Sequence, residues 1–293
     1  MMKARRTNPA GIKSRSRTAI ILSQYFSNKV AAFCACAIVA LVALAIFFPL
    51  FTPYHYTDVD YAALYAKPSA QHWLGCDAAG RDMLMLLCYS LRNALFVGIG
   101  ASCVQLLIGL LVGGISGYAG GRLDNLLSRI IDMMYCFPTF LFNLILVLLL
   151  GRSLFTIFLA IGLTSWAPMA RLVRSQVITI KQSEFVEAGF ALGATHARIL
   201  GHYILPNSLG PIVICLSQGI PAAMFAESGM SLIGLGILPP APSWGGLIST
   251  GQQYILSYPH MLLGPAVSFA IVILAFSYVG DGLRDAFDPR QIR

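Results

Sequence analysis

The sequence predicts an all-α polytopic membrane protein with about six transmembrane helices. Apolar residues make up 57% of the 293 residues and charged residues only 11%, whereas a soluble domain carries about 25% charged residues. The apolar residues form six runs, most of them close to the ~20 residues that a bilayer core requires. In chain order, the candidate spans are residues 30–51, 94–118, 130–150, 154–169, 207–227 and 259–280.

The third and fourth spans are predicted to form a tight hairpin, because only Gly151, Arg152 and Ser153 separate them. The fourth span is the shortest and contains Pro168. An intramembrane helix tolerates a proline when neighbouring groups satisfy the carbonyl that it frees.

The distribution of basic residues predicts the orientation of the chain. An even number of spans places both termini on one side, and that side holds all but four of the 20 basic residues. The four exceptions are Lys67, Arg81, Arg92 and Arg152. The positive-inside rule therefore places both termini, and the loop between the fourth and fifth spans, in the cytoplasm. Topology and anionic lipid headgroups account for the net charge of +8, so we expect contact with membrane lipid and no nucleic-acid binding.

This topology divides the chain into five parts. They are a basic cytoplasmic tail (1–29), a first transmembrane anchor (30–51), an extracytoplasmic loop with an interfacial helix (52–93), a transmembrane core (94–282) and a cytoplasmic tail (283–293).

The outer loop contains a compact group of charged residues. Asp77, Arg81 and Asp82 lie between turn-forming glycines, and we expect a local ion pair and a helix cap there. An interfacial helix is predicted to begin at Asp82 and to lead into the second span.

The second span carries Gly109, Gly113, Gly117 and Gly121 at steps of four. Such a row makes a flat helix face that allows close packing of another helix. We expect packing within the bundle, which includes contact with a paired subunit or around a pore.

Polar residues near the third span form a second group. Asp124, Arg129 and Asp132 lie about one turn apart at the predicted cytoplasmic edge, and Arg129 with Asp132 has the better pairing geometry. A structural role is expected, and a contribution to a gate remains open.

Glu227 is the one carboxylate deep in the second half of the chain. It is expected to cap backbone N–H groups in the glycine- and proline-rich segment that follows, where Trp244 would lie at headgroup depth in a re-entrant or interfacial structure. A direct substrate contact or a proton relay remains open.

The segment EAGFALGATHARILGHYILP, residues 187–206, is polar and helix-competent between two long apolar runs. Small residues recur at steps of three and four from Glu187 and Ala188, so one helix face admits a close partner. Gly193 allows a bend, and Pro206 can begin a new helix without its missing N–H. The segment therefore predicts a cytoplasmic helix that docks into another protein.

The spacing in this segment resembles the coupling-loop signature of membrane subunits of ATP-driven importers. Glu187, Ala188, Gly193, Leu205 and Pro206 fall on it in register. Two positions depart from the usual pattern: Gly189 replaces a second alanine, and Tyr203 stands where isoleucine or histidine is common.

Four further segments extend the resemblance over residues 70–290: HWLGCDAAGRD, GYAGGRLD, MSLIGLGILPPAPSWG and GDGLRDAFDPR. Together they resemble the second permease subunit (dipeptide-permease C type) of oligopeptide, dipeptide and nickel ABC importers. Cys76 stands where this group commonly has threonine.

The resemblance implies the type I ABC importer permease fold in a bacterial plasma (inner) membrane, with a coupling loop at residues 174–206. The implied partners are a second permease subunit, two ATP-binding cassette ATPase subunits and an extracytoplasmic solute-binding protein. Short peptides are the expected substrate, with nickel or another metal chelate, or glutathione, as alternatives.

The sequence by itself predicts neither an enzyme nor a cofactor site. No lysine follows a glycine, so a phosphate-binding P-loop is absent, as are HExxH and GxSxG motifs. The histidines are scattered and the cysteines lack metal-ligand or disulfide spacing. A secondary transporter is the alternative from another class, but internal repeats are not evident.

Overall fold

A computed structural model describes residues 17–287, and all six predicted spans lie within this range. Over these residues the chain is helical and forms no β-strand. The helices are α1 (Arg17–Ser27), α2 (Lys29–Phe51), α3 (Met83–Ala119), α4 (Gly121–Cys136), α5 (Thr139–Leu150), α6 (Leu154–Thr164), α7 (Ala167–Lys181), α8 (Glu184–Ala191), α9 (His196–Arg198), a π-helical segment (Ile199–Ile204), α10 (Leu205–Leu232), α11 (Trp244–Gln253) and α12 (His260–Phe287).

Four continuous helices in the described range are long and apolar enough to cross a membrane, and two bent helix pairs bring the number to six. The continuous spans are α2, α3, the run His196–Leu232 and α12. The bent pairs are α4 with α5 and α6 with α7. The all-α fold with about six spans is therefore confirmed.

The second span is longer than predicted. Helix α3 has 37 residues and begins at Met83, so the interfacial helix expected from Asp82 is the first part of the span itself. The Asp82 side chain caps this helix by accepting a hydrogen bond from the Met85 N–H at 2.9 Å.

Proline explains why the third span is not one straight helix. Helix α4 ends at Cys136, α5 begins at Thr139, and the two axes differ by 88°. Pro138 lacks an N–H, and Phe137 before it is extended, as residues before proline prefer. The prediction of one continuous span over 130–150 is wrong for this reason.

The fourth span also bends, by 44° between α6 and α7. Pro168 lies in the first turn of α7, where the missing N–H costs no helical hydrogen bond. Helix α7 continues to Lys181, so the predicted end of this span near 169 is wrong. The hairpin before it is as predicted, and its Arg152 guanidinium donates to the carbonyls of Gly234 and Gly236.

The glycine row of α3 packs against α7. A Cβ placed on Gly113 would lie 2.3 Å from the Ala170 carbonyl oxygen, and one on Gly117 would lie 2.7 Å from the Arg174 carbonyl oxygen. Gly109 makes a similar contact with Met169. The predicted close packing within the bundle is therefore observed.

The fourth glycine of the predicted row is not part of this contact. Gly121 begins α4 with a φ of +60°, and a Cβ there would meet no atom within 4 Å. Its role is the sharp turn from α3 into α4, a conformation that glycine adopts without steric cost.

The outer loop before α3 contains the predicted ion pair and cap. Arg81 Nε donates to Asp77 Oδ2 at 2.8 Å, and the Asp82 carboxylate also contacts His72 Nδ1 at 2.9 Å. Cys76 lies between these carboxylates with no exposed surface. Burial, followed by the nearby Asp82 charge, raises the pKa of the Cys76 thiol to about 11, so it remains neutral and acts as a small apolar group.

The segment after α10 folds back onto the bundle. The Trp244 ring is 2% exposed and its Nε1 donates to Ser268 Oγ at 3.0 Å. The ring packs against Phe269 of α12, so it is enclosed by the protein, and the predicted headgroup depth of Trp244 stays a prediction.

The two predicted tails fall partly outside the described residues, at 1–16 and 288–293. Within the described range, α1 occupies the second part of the predicted tail 1–29. Helix α12 continues past the predicted boundary at 282 to Phe287. Asn28 Nδ2 contacts Asp285 Oδ2 at 3.3 Å, so the two ends pack together.

We expect Gly113→Ala to destabilise the protein, because its methyl group would overlap the Ala170 carbonyl, and overpacking costs about 1–3 kcal/mol. Gly114→Ala is the matched control, since a Cβ there meets no atom within 4 Å. Thermal unfolding of the purified protein in detergent would measure both. Equal melting temperatures would contradict the packing role.

Candidate functional site

The predicted coupling loop contains a short helix held against two longer ones. Val186 of α8 is fully buried, together with Ile199 and Ile204 at the start of the long helix His196–Leu232. The same apolar cluster includes Met169 and Val173 of α7. Helix α8 is therefore packed onto both α7 and the π-helical segment that leads into α10.

Gly189 has a steric reason to replace the usual alanine. A Cβ on this residue would lie 3.0 Å from Ile199 Cδ1 and 3.3 Å from the Tyr203 ring. The Tyr203 ring also stacks with Phe185, with 6.4 Å between centroids. The two departures from the family pattern are thus in contact, because the missing methyl at Gly189 leaves room for the larger Tyr203.

Gly193 makes the turn that follows α8. Its φ is +82°, a conformation that costs a residue with a side chain about 1–2 kcal/mol. After the turn, Thr195 Oγ1 accepts a hydrogen bond from the Arg198 N–H and so caps α9. The predicted bend is present at this position.

The α-helix α10 begins at the Leu205–Pro206 pair, directly after the π-helical segment. The chain is helical without a break over His196–Leu232, first as α9, then as the π-helical segment and then as α10. Pro206 lies at the first turn of α10, and the widened π-helical turn before it accommodates the missing N–H. Pro206 therefore lies at the start of an α-helix, as predicted, but this helix continues the preceding helical turns instead of following a break.

The face of α8 that points away from the rest of the protein carries mostly small side chains and is exposed to solvent. Glu187, Ala188 and Ala191 are exposed, and Leu192 at the end of the helix is 88% exposed. Exposed apolar side chains beside small residues are typical of a surface that a partner covers.

Asp124 joins three helices beside the middle of α7. Its carboxylate receives two hydrogen bonds from the Arg174 guanidinium, at 2.6 and 2.7 Å. Ser116 of α3 donates to the same carboxylate at 2.5 Å, and Ser128 donates at 3.3 Å. The bidentate pair therefore joins α4 to α7, and the Ser116 hydrogen bond joins α4 to α3.

The predicted pairing of Arg129 is wrong. Asp132 contacts Arg171 of α7 at 2.6 Å instead, and Arg129 is exposed without an ion pair to any residue in 17–287. Intrahelical spacing favoured Arg129, but the close approach of α7 to α4 presents Arg171 and Arg174 to both carboxylates.

Glu227 is fully buried in α10. Its two carboxylate oxygens accept hydrogen bonds from Ser231 Oγ at 2.7 Å and Ser228 Oγ at 3.2 Å. The expected capping of backbone N–H groups by Glu227 is therefore wrong, because hydroxyl groups of its own helix satisfy the carboxylate.

A polar cavity of about 260 Å³ lies between α3, α5, α6, α7 and α10. Gln105 and Asn143 line it, and sequence reasoning singled out neither residue. A signal was present, because each is an amide within a long apolar run, and polar side chains inside spans often mark a functional site.

Comparison with known proteins identifies the class to which this arrangement belongs. Residues 106–293 match the family model described as "Binding-protein-dependent transport system inner membrane component". Residues 16–68 match the model of the N-terminal TM domain of oligopeptide transport permease C. The chain belongs to this family of ABC importer permeases and is a multi-pass inner-membrane protein.

Its relatives are similar over almost their whole length. The chain is 38% identical over 278 residues to the oligopeptide transport system permease protein OppC of Bacillus subtilis. The alignment covers 95% of this chain and 91% of the relative. It is 40% identical over 254 residues to the dipeptide transport system permease protein DppC of the same organism, covering 86% and 79%.

A solved structure supports the fold. An inward-facing form of the MetNI methionine ABC transporter aligns with a TM-score of 0.57 and 18% identity, over 70% of this chain and 98% of that one. The type I permease fold predicted from the sequence is thereby confirmed.

We expect Asp124→Asn to lower the free energy of unfolding by about 1–3 kcal/mol, because it leaves the half-buried Arg174 guanidinium without its counter-charge. Asp132→Asn is the matched control: both members of its ion pair are more than half exposed, so its loss costs about 0–1 kcal/mol.

Chemical denaturation of the purified protein in detergent measures the two losses. Adding Arg174→Met to each variant tests the partner assignment, because only the effect of Asp124→Asn should shrink. Equal losses for the two single variants would contradict the three-helix role of Asp124.

Proposed function

We propose that this chain is the second of two permease subunits in an ATP-driven, binding-protein-dependent importer of short peptides. The observation that carries the proposal is the similarity to OppC and DppC over nearly the full chain, which includes both the first anchor and the transmembrane core. A chelated metal such as nickel, or glutathione, is the alternative substrate class.

The proposed assembly divides the work among several chains. A second permease subunit forms the translocation pathway with this one, two ATPase subunits bind on the cytoplasmic side, and an extracytoplasmic binding protein delivers the peptide. ATP hydrolysis belongs to the ATPase subunits, since this sequence lacks a glycine-rich phosphate-binding loop. Both termini and the coupling loop lie in the cytoplasm, in keeping with the positive-inside rule.

The coupling loop carries the motion of the ATPase subunits into the membrane. The partner binds the exposed face of Glu187, Ala188 and Ala191, and it buries Leu192. The moving unit comprises α8 and the long helix His196–Leu232, because buried Val186, Ile199 and Ile204 join them. Closure of the ATPase dimer would then shift α10 along the pathway and produce alternating access.

Deletion of this chain alone from a bacterial strain tests the substrate. We expect uptake of labelled short peptides to be lost, because the deletion removes one of the two permease subunits that form the pathway. Expression of the wild-type chain should restore this uptake. Labelled nickel uptake, measured in the same cells, should be unchanged. Lost nickel uptake with intact peptide uptake would overturn the peptide assignment in favour of the metal alternative.

Gly193→Val tests the coupling role. A β-branched residue at a φ of +82° would distort the turn and displace α8, so we expect uptake to fall and ATP hydrolysis to lose its response to peptide-loaded binding protein. Gly193→Asn is the matched control, since asparagine tolerates positive φ far better.

Both assays use the assembled importer in proteoliposomes, with the amount of inserted chain measured beside them. If Gly193→Val keeps normal uptake and normal stimulation of ATP hydrolysis, the coupling role of this turn is refuted.

A further inference from the structure

The polar cavity lies at the middle of the transmembrane bundle. Gln105 is near the middle of α3, and Gly219 is at the middle of α10. Both bent spans break beside it: Thr139 begins α5 after the first break, and Ser165 ends α6 before the second. In secondary transporters, discontinuous helices at the bilayer midplane form the substrate sites, and we apply the same geometric argument to this cavity.

The wall of this cavity is mostly apolar, and the polar groups on it are uncharged. Its polar lining residues are Gln105, Thr139, Asn143 and Ser165, and the other described residues around it are alanine, glycine or apolar. A charged ligand group would therefore find no counter-ion on this side of the cavity. The available chemistry is hydrogen bonding by amides and hydroxyls.

Some of these groups have no partner within the described part of the chain. Gln105 is only 8% exposed, and its amide faces the cavity without a hydrogen bond to another side chain or backbone group within residues 17–287. Ser102 Oγ, behind it, is buried and unpaired but does not line the cavity. Leaving a largely buried amide unpaired is costly, so the retention of Gln105 points to a ligand that satisfies it.

A glycine keeps the polar part of this wall open. A Cβ on Gly219 would lie 2.8 Å from Gln105 Oε1 and 3.2 Å from Ser102 Oγ. The absence of a side chain thus leaves Gln105 Oε1 accessible beside a space of about 260 Å³, well above the ~30 Å³ that one water occupies.

We propose that the side-chain amides of Gln105 and Asn143 form a subsite that hydrogen-bonds the backbone amide groups of the peptide as it crosses the membrane. Asn143 Oδ1 already accepts a hydrogen bond from Thr164 Oγ1 at 2.5 Å, so Asn143 takes part through its Nδ2 donor. The inference rests on the proposed peptide substrate. Backbone amides are shared by peptides of any sequence, so an uncharged subsite serves varied side chains. A few neutral hydrogen bonds also bind weakly enough to release the peptide onward.

The test compares trialanine with its analogue N-methylated at the central amide, which lacks one backbone donor. Uptake of each is measured at saturating concentration in proteoliposomes that hold the complete importer. The readout is the uptake rate of trialanine divided by that of the N-methylated analogue. This ratio does not depend on how much folded chain is present. The binding protein is identical in every sample, so a changed ratio arises in the permease.

We expect Gln105→Met to lower this ratio by about 2- to 10-fold, since the variant can no longer accept a hydrogen bond from the central amide. Gln218→Met is the matched control at the same depth: its Nε2 donates to Asp281 on the α12 side at 3.2 Å, away from the cavity. The control should keep the wild-type ratio.

An unchanged ratio in Gln105→Met overturns the subsite and leaves the proposed function standing. If Gln105→Met gives no measurable uptake, the same ratio in Gly219→Ala decides, because its methyl group displaces the Gln105 amide. A lowered ratio there supports the subsite and an unchanged one overturns it. If the wild-type importer takes up no trialanine, the proposed peptide function fails and the subsite fails with it.

Discussion

The contact between α3 and α7 is the constraint on which the rest of the structure depends. Lipid tails are as apolar as leucine side chains, so helices in a bilayer gain little from apolar burial and associate instead through close packing. Three glycines of α3 bring its backbone against α7, two of them against α7 carbonyls and Gly109 against the Met169 side chain. That approach presents Arg174 to Asp124 and seats α4 beside α7.

The same helix α7 connects the surface to the interior. Its buried Val173 and Val177 belong to the cluster that holds α8, and Pro168 at its other end lines the central cavity. The long helix His196–Leu232 makes the corresponding connection, from Ile204 in that cluster to Gly219 at the cavity. A displacement of α8 can therefore be transmitted to the middle of the bundle through two rigid helices.

Two prolines determine where the bent spans break and leave room for the central cavity. Pro138 and Pro168 stand at the two bends, and each bend leaves a helix end beside the cavity rather than a continuous apolar wall. Soluble helices seldom keep such breaks, but neighbouring helices in a membrane can satisfy the freed backbone groups. The bends thus create polar space inside a chain whose spans are otherwise apolar.

The sequence by itself determined the helical class, the number of spans, the outer-loop ion pair and the turn at Gly193, because hydropathy, charge and glycine spacing are local properties. Only the tertiary structure decided the partners of polar residues. Spacing paired Arg129 with Asp132, yet α7 supplies the arginine, and Glu227 found hydroxyls of its own helix instead of backbone N–H groups. The cavity around Gln105 likewise required five helices to be placed. Such contacts join residues far apart in sequence, so their energies depend on helix packing that no local pattern encodes.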